Sequence, residues 1–106
     1  MATVPEIAAY GRLTRVLVHY DIRDDAQRDT FQKYISDANF VVRFERVTNS
    51  VYSASVKNTP SHIDGLTRAL VLAAGVAEIS AGSKVFLEVS QLDDLAGSTI
   101  ISTEIV

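Results

Sequence analysis

The 106-residue sequence has no cysteine, which excludes disulfide staples and thiolate chemistry. It has two histidines, His19 and His62, far apart in the chain, so no zinc-type ligand set is spaced along it. Its five glycines form neither a Walker A loop nor a Gly-x-Gly-x-x-Gly turn, which leaves nucleotide cradling without support. No Gly-x-Ser-x-Gly elbow surrounds Ser50, Ser53 or Ser55, and these read as strand or turn residues. The longest small-and-apolar run, Ala69–Ala77, is nine residues closed by Arg68 and Glu78. A membrane span needs ~20 residues, so no membrane partner is expected. The opening MATVPEIAAYGRLTR carries Glu6 and lacks a signal-length apolar core, so a cytoplasmic chain without a secretory leader is the expectation. A basic excess is missing too. Ten basic groups against thirteen acidic ones give a net charge of −3, which disfavours duplex binding by charge alone.

What is present is a globular composition, 47% apolar and 22% charged, that excludes wholesale disorder. No repeat or linker divides it, so one domain over residues 1–106 is expected, with 1–12 as an N-terminal extension. Charge is uneven: residues 1–57 hold eight basic and seven acidic groups, residues 58–106 two and six. Leu13–Tyr20 alternates Val16, Val18 and Tyr20 against Leu17 and His19, a strand signature. Asp24 with Gln27 resembles a capping box, and Phe31, Tyr34, Ile35 and Ala38 make the apolar stripe of a helix over Ala26–Ala38. Phe40, Val42 and Phe44 alternate as a second strand, and a Thr48-Asn49-Ser50 turn leads to a third over Val51–Val56, or, since that turn lacks a Gly, the two form one long bent ribbon. Thr59-Pro60 predicts an N-cap and first helical position, followed by a stripe from Ile63 through Leu66 and Leu70, with Gly75 shortening or ending the helix. Lys84–Ser90 and Ser98–Val106 complete the order β-α-β-β-α-β with a C-terminal fifth β segment.

The economical packing is a ferredoxin-like α+β domain, with two helices on one face of an antiparallel sheet. The other face is left open and the IISTEIV terminus is an unprotected edge, so a homodimer is expected. Residues 98–106 pair within their own chain or across that dimer; both readings stand.

Asp21 ends the first strand, where a carboxylate would hold a hard divalent cation or, with Asp24 and Asp25, serve as a solvated group at the helix start. His19 points to the open face, as a proton shuttle or a hydrogen-bonded interface residue, and His62 is expected to be exposed. Arg23, Arg28, Lys33, Arg43 and Arg46 either meet phosphates or belong to a mixed-charge solvated face.

Two segments carry a resemblance. VLVHYDIRDDAQRDTFQKYI is similar to the opening of the CRISPR-associated Cas2 family, an apolar strand ending Tyr-Asp-Ile before an Asp/Arg-rich helix start. Phe44-Glu45-Arg46-Val47-Thr48-Asn49-Ser50-Val51-Tyr52 resembles its Arg-Val-Gln-x-Ser-Val-Phe stretch, and KVFLEVSQL its fourth strand, so the likeness covers residues 13–92. It implies a homodimer that either cleaves phosphodiesters with Mg2+, Asp21 being the catalytic metal ligand mirrored in the partner, or holds DNA beside a Cas1-type integrase. By position Tyr20 flanks the carboxylate, and Arg46 and Ser50 lie in the second motif. The sequence departs at Thr48 for the usual Gln, Ser53 for an acid, Asn39 for a Gly and Ser83 for the Asp opening strand four.

On that reading Arg23, Arg28, Arg43, Arg46 and Ser50 contact DNA or RNA. The alternative is a catalytically inactive dimeric interaction or regulatory module, with the arginines paired to Asp24, Asp29 and Glu45. A small-molecule enzyme or sensor would instead need a cavity near His19.

Overall fold

The alternation around Val16 and Val18 produces strand β1 (Leu13–Asp21) in the computed structural model, which describes residues 13–93 and 97–106, with residues 90–93 and 97–100 by their backbone only. The expected extension, 1–12, lies outside the described residues. Helix α1 (Asp25–Ser36), strands β2 (Glu45–Thr48) and β3 (Val51–Lys57), helix α2 (Pro60–Val76), and strands β4 (Lys84–Asp93) and β5 (Gly97–Glu104) follow. The five strands form one sheet in the order β2-β3-β1-β4-β5, every neighbouring pair antiparallel. The described residues thus form an α+β fold, with two helices and a five-stranded antiparallel sheet. Within this chain β5 pairs with β4, Phe86 opposite Glu104 and Val89 opposite Ile101.

Period two along the strands sets the layers. Val16, Val18, Val85 and Leu87 are fully buried beneath Phe31 and Ile35 of α1 and Leu66 and Leu70 of α2. Each such side chain contributes about 1.5–3 kcal/mol on burial. Their strand neighbours Leu17, His19, Phe86 and Glu88 are half-buried on the uncovered face.

The helix starts are capped as their sequences predict. Asp24 Oδ1 accepts from Gln27 N at 2.9 Å, and Thr59 Oγ1 accepts from His62 N at 3.2 Å with Pro60 in the first turn. The capping box is not reciprocal, because the Gln27 side chain turns away to Ser80. It donates from Nε2 to Ser80 Oγ at 2.8 Å and accepts from Ser80 N at 3.0 Å.

Two local expectations are corrected. The alternation Phe40–Val42–Phe44 is not a strand; residues 40–44 are irregular and β2 begins at Glu45. Only Val51, Tyr52 and Ser53 of β3 pair with β2; β3 runs on to Lys57, but residues 40–44 do not pair with it. Phe40 stacks edge-on against Tyr34 (5.9 Å) and lies 6.1 Å from Phe44, so these rings are apolar because they pack at the end of α1. Gly75 neither shortens nor ends α2. The helix runs to Val76 and closes through Glu78 N to Gly75 O and Ile79 N to Ala74 O, with Glu78 at φ 54° in the left-handed region that favours glycine.

Candidate functional site

The last residues of β1 bring together the two segments singled out in the sequence. Tyr20 N donates to Ser50 O at 3.1 Å, which lays the β2–β3 turn against the end of β1. The Tyr20 hydroxyl donates to Asn49 O at 3.1 Å and accepts from Gln32 Nε2 at 2.6 Å. Gln32 Nε2 also reaches Asn49 O at 3.2 Å, and Arg46 donates to Asn49 Oδ1 at 3.0 Å. A phenol from β1, an amide from α1 and the β2–β3 turn therefore form one polar knot.

The Tyr20 ring is buried edge-on to Phe31 at 5.6 Å and tilted against Tyr52 at 6.3 Å. Burial raises its pKa above the ordinary tyrosine value. Tyr52 pushes the same way, while the Gln32 hydrogen bond and the Arg46 and Arg28 guanidiniums oppose the rise. Both arginines thus exert their field on one phenol. Arg28 is itself bound to Asp25 at 2.7 Å, one turn away.

Side-chain alternation divides the remaining residues between the two faces of the sheet. Arg46 stands opposite the buried Tyr52, on the helix side, with a bulge between Arg46 and Thr48. Asp21 alternates with Tyr20, so it is exposed on the uncovered side, in register with Lys84. Lys84 is ion-paired to Glu104. Asp21 and Arg46 thus share one end of the sheet without sharing a face.

Arg23 N donates to Ser83 Oγ at 3.2 Å, which ties the loop after β1 to the start of β4. Arg43 lies in the irregular stretch before β2 and forms no hydrogen bond or ion pair among the described residues. The expected pairing of arginines with Asp24, Asp29 and Glu45 is not the one seen; Asp25 and Asn49 take those places.

His19 lies on the uncovered face, stacked on Phe86 with ring centroids 5.1 Å apart and 3.0 Å from Glu88 Oε1. Arg15 donates to the buried Ser53 Oγ on the same face at 3.2 Å. A cleft of about 520 Å3 opens on the opposite, helical side, lined by residues of both helices and of the segment between α1 and β2. His62 is exposed, with Nδ1 2.6 Å from the Thr59 hydroxyl.

Among the described residues no three His, Asp or Glu side chains gather into a metal-binding group.

Gln32 and Asn49 are the site members that sequence reasoning missed. Gln32 lies one turn after Arg28, on the same helical face, and that spacing was the available signal. Nothing local marks its partner, which arrives from another element. No helix among the described residues is long and apolar enough to cross a membrane. No protein-family model, curated protein or solved structure matches the chain.

Proposed function

We propose that the protein is a Cas2-like nucleic-acid-handling homodimer of ferredoxin-like subunits. The observation that carries this reading is the contact between the two resembling segments: the strand end Tyr20-Asp21 and the turn at Asn49-Ser50 meet through the Tyr20 N–H and hydroxyl. The strand order β2-β3-β1-β4, with both helices packed into one core, supports the ferredoxin-like description.

In the dimer the uncovered faces meet, and Asp21 of each chain would hold a magnesium ion that activates water for phosphodiester hydrolysis. Arg46 and Arg28 would meet phosphates at the same end of the sheet, with Arg23, Arg43 and Ser50 extending that surface. A subunit without catalysis would still bridge DNA for a Cas1-type integrase. A cytoplasmic location accords with this role.

The test measures binding of labelled single-stranded RNA and duplex DNA against salt, and cleavage with added Mg2+. Binding is expected to weaken steeply with salt, and Arg46→Ala to lower the logarithmic salt slope by about 1. Asp21→Ala is expected to abolish cleavage while leaving the dimer and its melting intact. Cleavage retained by Asp21→Ala removes that residue from the mechanism, and a monomer in solution or the absence of binding at low salt overturns the reading. The net charge of −3 favours a second reading, an inactive dimeric interaction or regulatory module, which predicts a dimer without salt-sensitive binding.

A further inference from the structure

Asn49 sits in a turn without either of the usual local reasons for an asparagine there. Asparagine is favoured in turns because it tolerates a left-handed backbone, or because its side chain bonds its own backbone two residues on. Among the described residues Glu78 alone, glycine aside, has a positive φ, so Asn49 is not left-handed. The turn's local side-chain bond comes from its neighbour, Thr48 Oγ1 accepting from Ser50 N at 3.2 Å. Among the described residues Asn49 Oδ1 accepts only from Arg46, at 3.0 Å.

The backbone that carries this amide is held at two successive carbonyls. The Tyr20 hydroxyl and Gln32 Nε2 donate to Asn49 O at 3.1 and 3.2 Å, and Tyr20 N donates to Ser50 O at 3.1 Å. Arg46 has no comparable support. It lies on β2, a four-residue edge strand exposed along its whole length, and a bulge follows it. Asn49 is its one hydrogen-bond partner among the described residues, where it forms no ion pair. The fixed turn therefore orients the guanidinium.

Arg28 is held differently. It binds Asp25 at 2.7 Å, and that carboxylate offsets its charge. The Asn49 amide bears no net charge, so it sets the direction of Arg46 and leaves the cation whole. A guanidinium carries its donors in a rigid fork, and a single bond to Asn49 leaves the rest for an anion.

We infer that Asn49 is a positioning residue, presenting an unneutralised Arg46 guanidinium to a nucleic-acid phosphate. This role rests on the nucleic-acid reading proposed for the chain and adds to it a residue that bears no charge. An arginine already oriented loses less side-chain freedom on meeting a phosphate, and the difference appears as affinity. Asn49 contributes no counterion release, so affinity and salt slope report different residues.

Binding of labelled single-stranded RNA and of labelled duplex DNA, titrated at several salt concentrations, tests this on the full chain. Asn49→Ala is expected to weaken binding about two- to tenfold at unchanged salt slope, whereas Arg46→Ala lowers the slope by about 1. In an Arg46→Ala background Asn49→Ala is expected to cost nothing further, because it acts through that side chain. Asn49→Asp keeps a turn-forming residue and the acceptor but offsets the cation, and is expected to lower the slope as Arg46→Ala does. Should Asn49→Ala melt early, Asn49→Asp carries the test. Equal losses from Asn49→Ala in both backgrounds, or wild-type affinity and slope in Asn49→Asp, overturn the positioning role and leave the nucleic-acid reading standing. Absence of binding by the wild type at low salt overturns both.

Discussion

The Tyr20 hydroxyl and Gln32 Nε2 lie 2.6 Å apart, and through this contact α1 holds the end of the central strand and the β2–β3 turn together. Asn49 O is the shared acceptor, so one phenol fixes the relative position of three elements. Removing the hydroxyl therefore acts on the turn as well as on the strand. Tyr20→Phe keeps the packing on Phe31 and Tyr52 and is expected to cost about 1 kcal/mol, because the partners it frees regain water at the exposed side. Urea titration checks this as a lower midpoint at unchanged slope.

The same phenol makes stability depend on alkaline pH. Its folded-state pKa lies above the ordinary value, burial being the main cause, so the folded chain holds the proton more tightly than the unfolded chain. The stabilisation is present below about pH 10 and is lost as the pH rises through the folded-state value. Unfolding followed upward from about pH 9 is expected to show a decline that Tyr20→Phe reduces. An identical decline in both proteins would contradict the assignment.

Glu78 occupies a left-handed conformation at the end of α2 with an exposed side chain that forms no ion pair among the described residues. Glycine takes that conformation without the clash at Cβ, which costs other residues roughly 1–2 kcal/mol. Glu78→Gly is expected to raise stability by about 1 kcal/mol after its greater unfolded-state freedom is subtracted, an increase in Tm of roughly 4–8 °C in a domain of this size. A lowered Tm would show that the strain is relieved some other way.

Adjacent residues of α2 differ sharply in burial. Leu70 is fully buried and Val71 is 51% exposed. Leu70→Ala is expected to cost about 2–5 kcal/mol through lost burial and the cavity left behind. Val71→Ala is expected to stay within about 0.5 kcal/mol. Chemical denaturation of the two variants side by side measures the contrast.

The tether from α1 to the loop after α2 makes a fourth point of attack. Gln27 meets Ser80 through both its amide nitrogen and its amide oxygen, at positions 53 residues apart in sequence. Gln27→Ala is expected to lower stability by about 1 kcal/mol, a partly exposed hydrogen-bond pair being lost without a buried orphan. Hydrogen exchange should then rise at Ser80 N, whose acceptor is removed.

The element types were legible in the sequence because period two and period 3.6 are written into neighbouring residues. Val16–Val18–Tyr20 against Leu17–His19 determined a strand with one buried face, and Asp24 and Thr59 determined where the helices start. Alternation also determined that Asp21 and Tyr20 point to opposite faces. The tertiary structure alone decided that Phe40 and Phe44 pack as rings at the end of α1, since β3 runs on to Lys57 and nothing local says whether residues 40–44 pair with it. It decided, too, that Gln27 abandons its own cap for Ser80 and that Gln32 and Asn49 converge on Tyr20. Each of these depends on which distant backbone arrives within hydrogen-bond or van der Waals reach, a distance that sheet register and helix docking set and that local propensity does not encode.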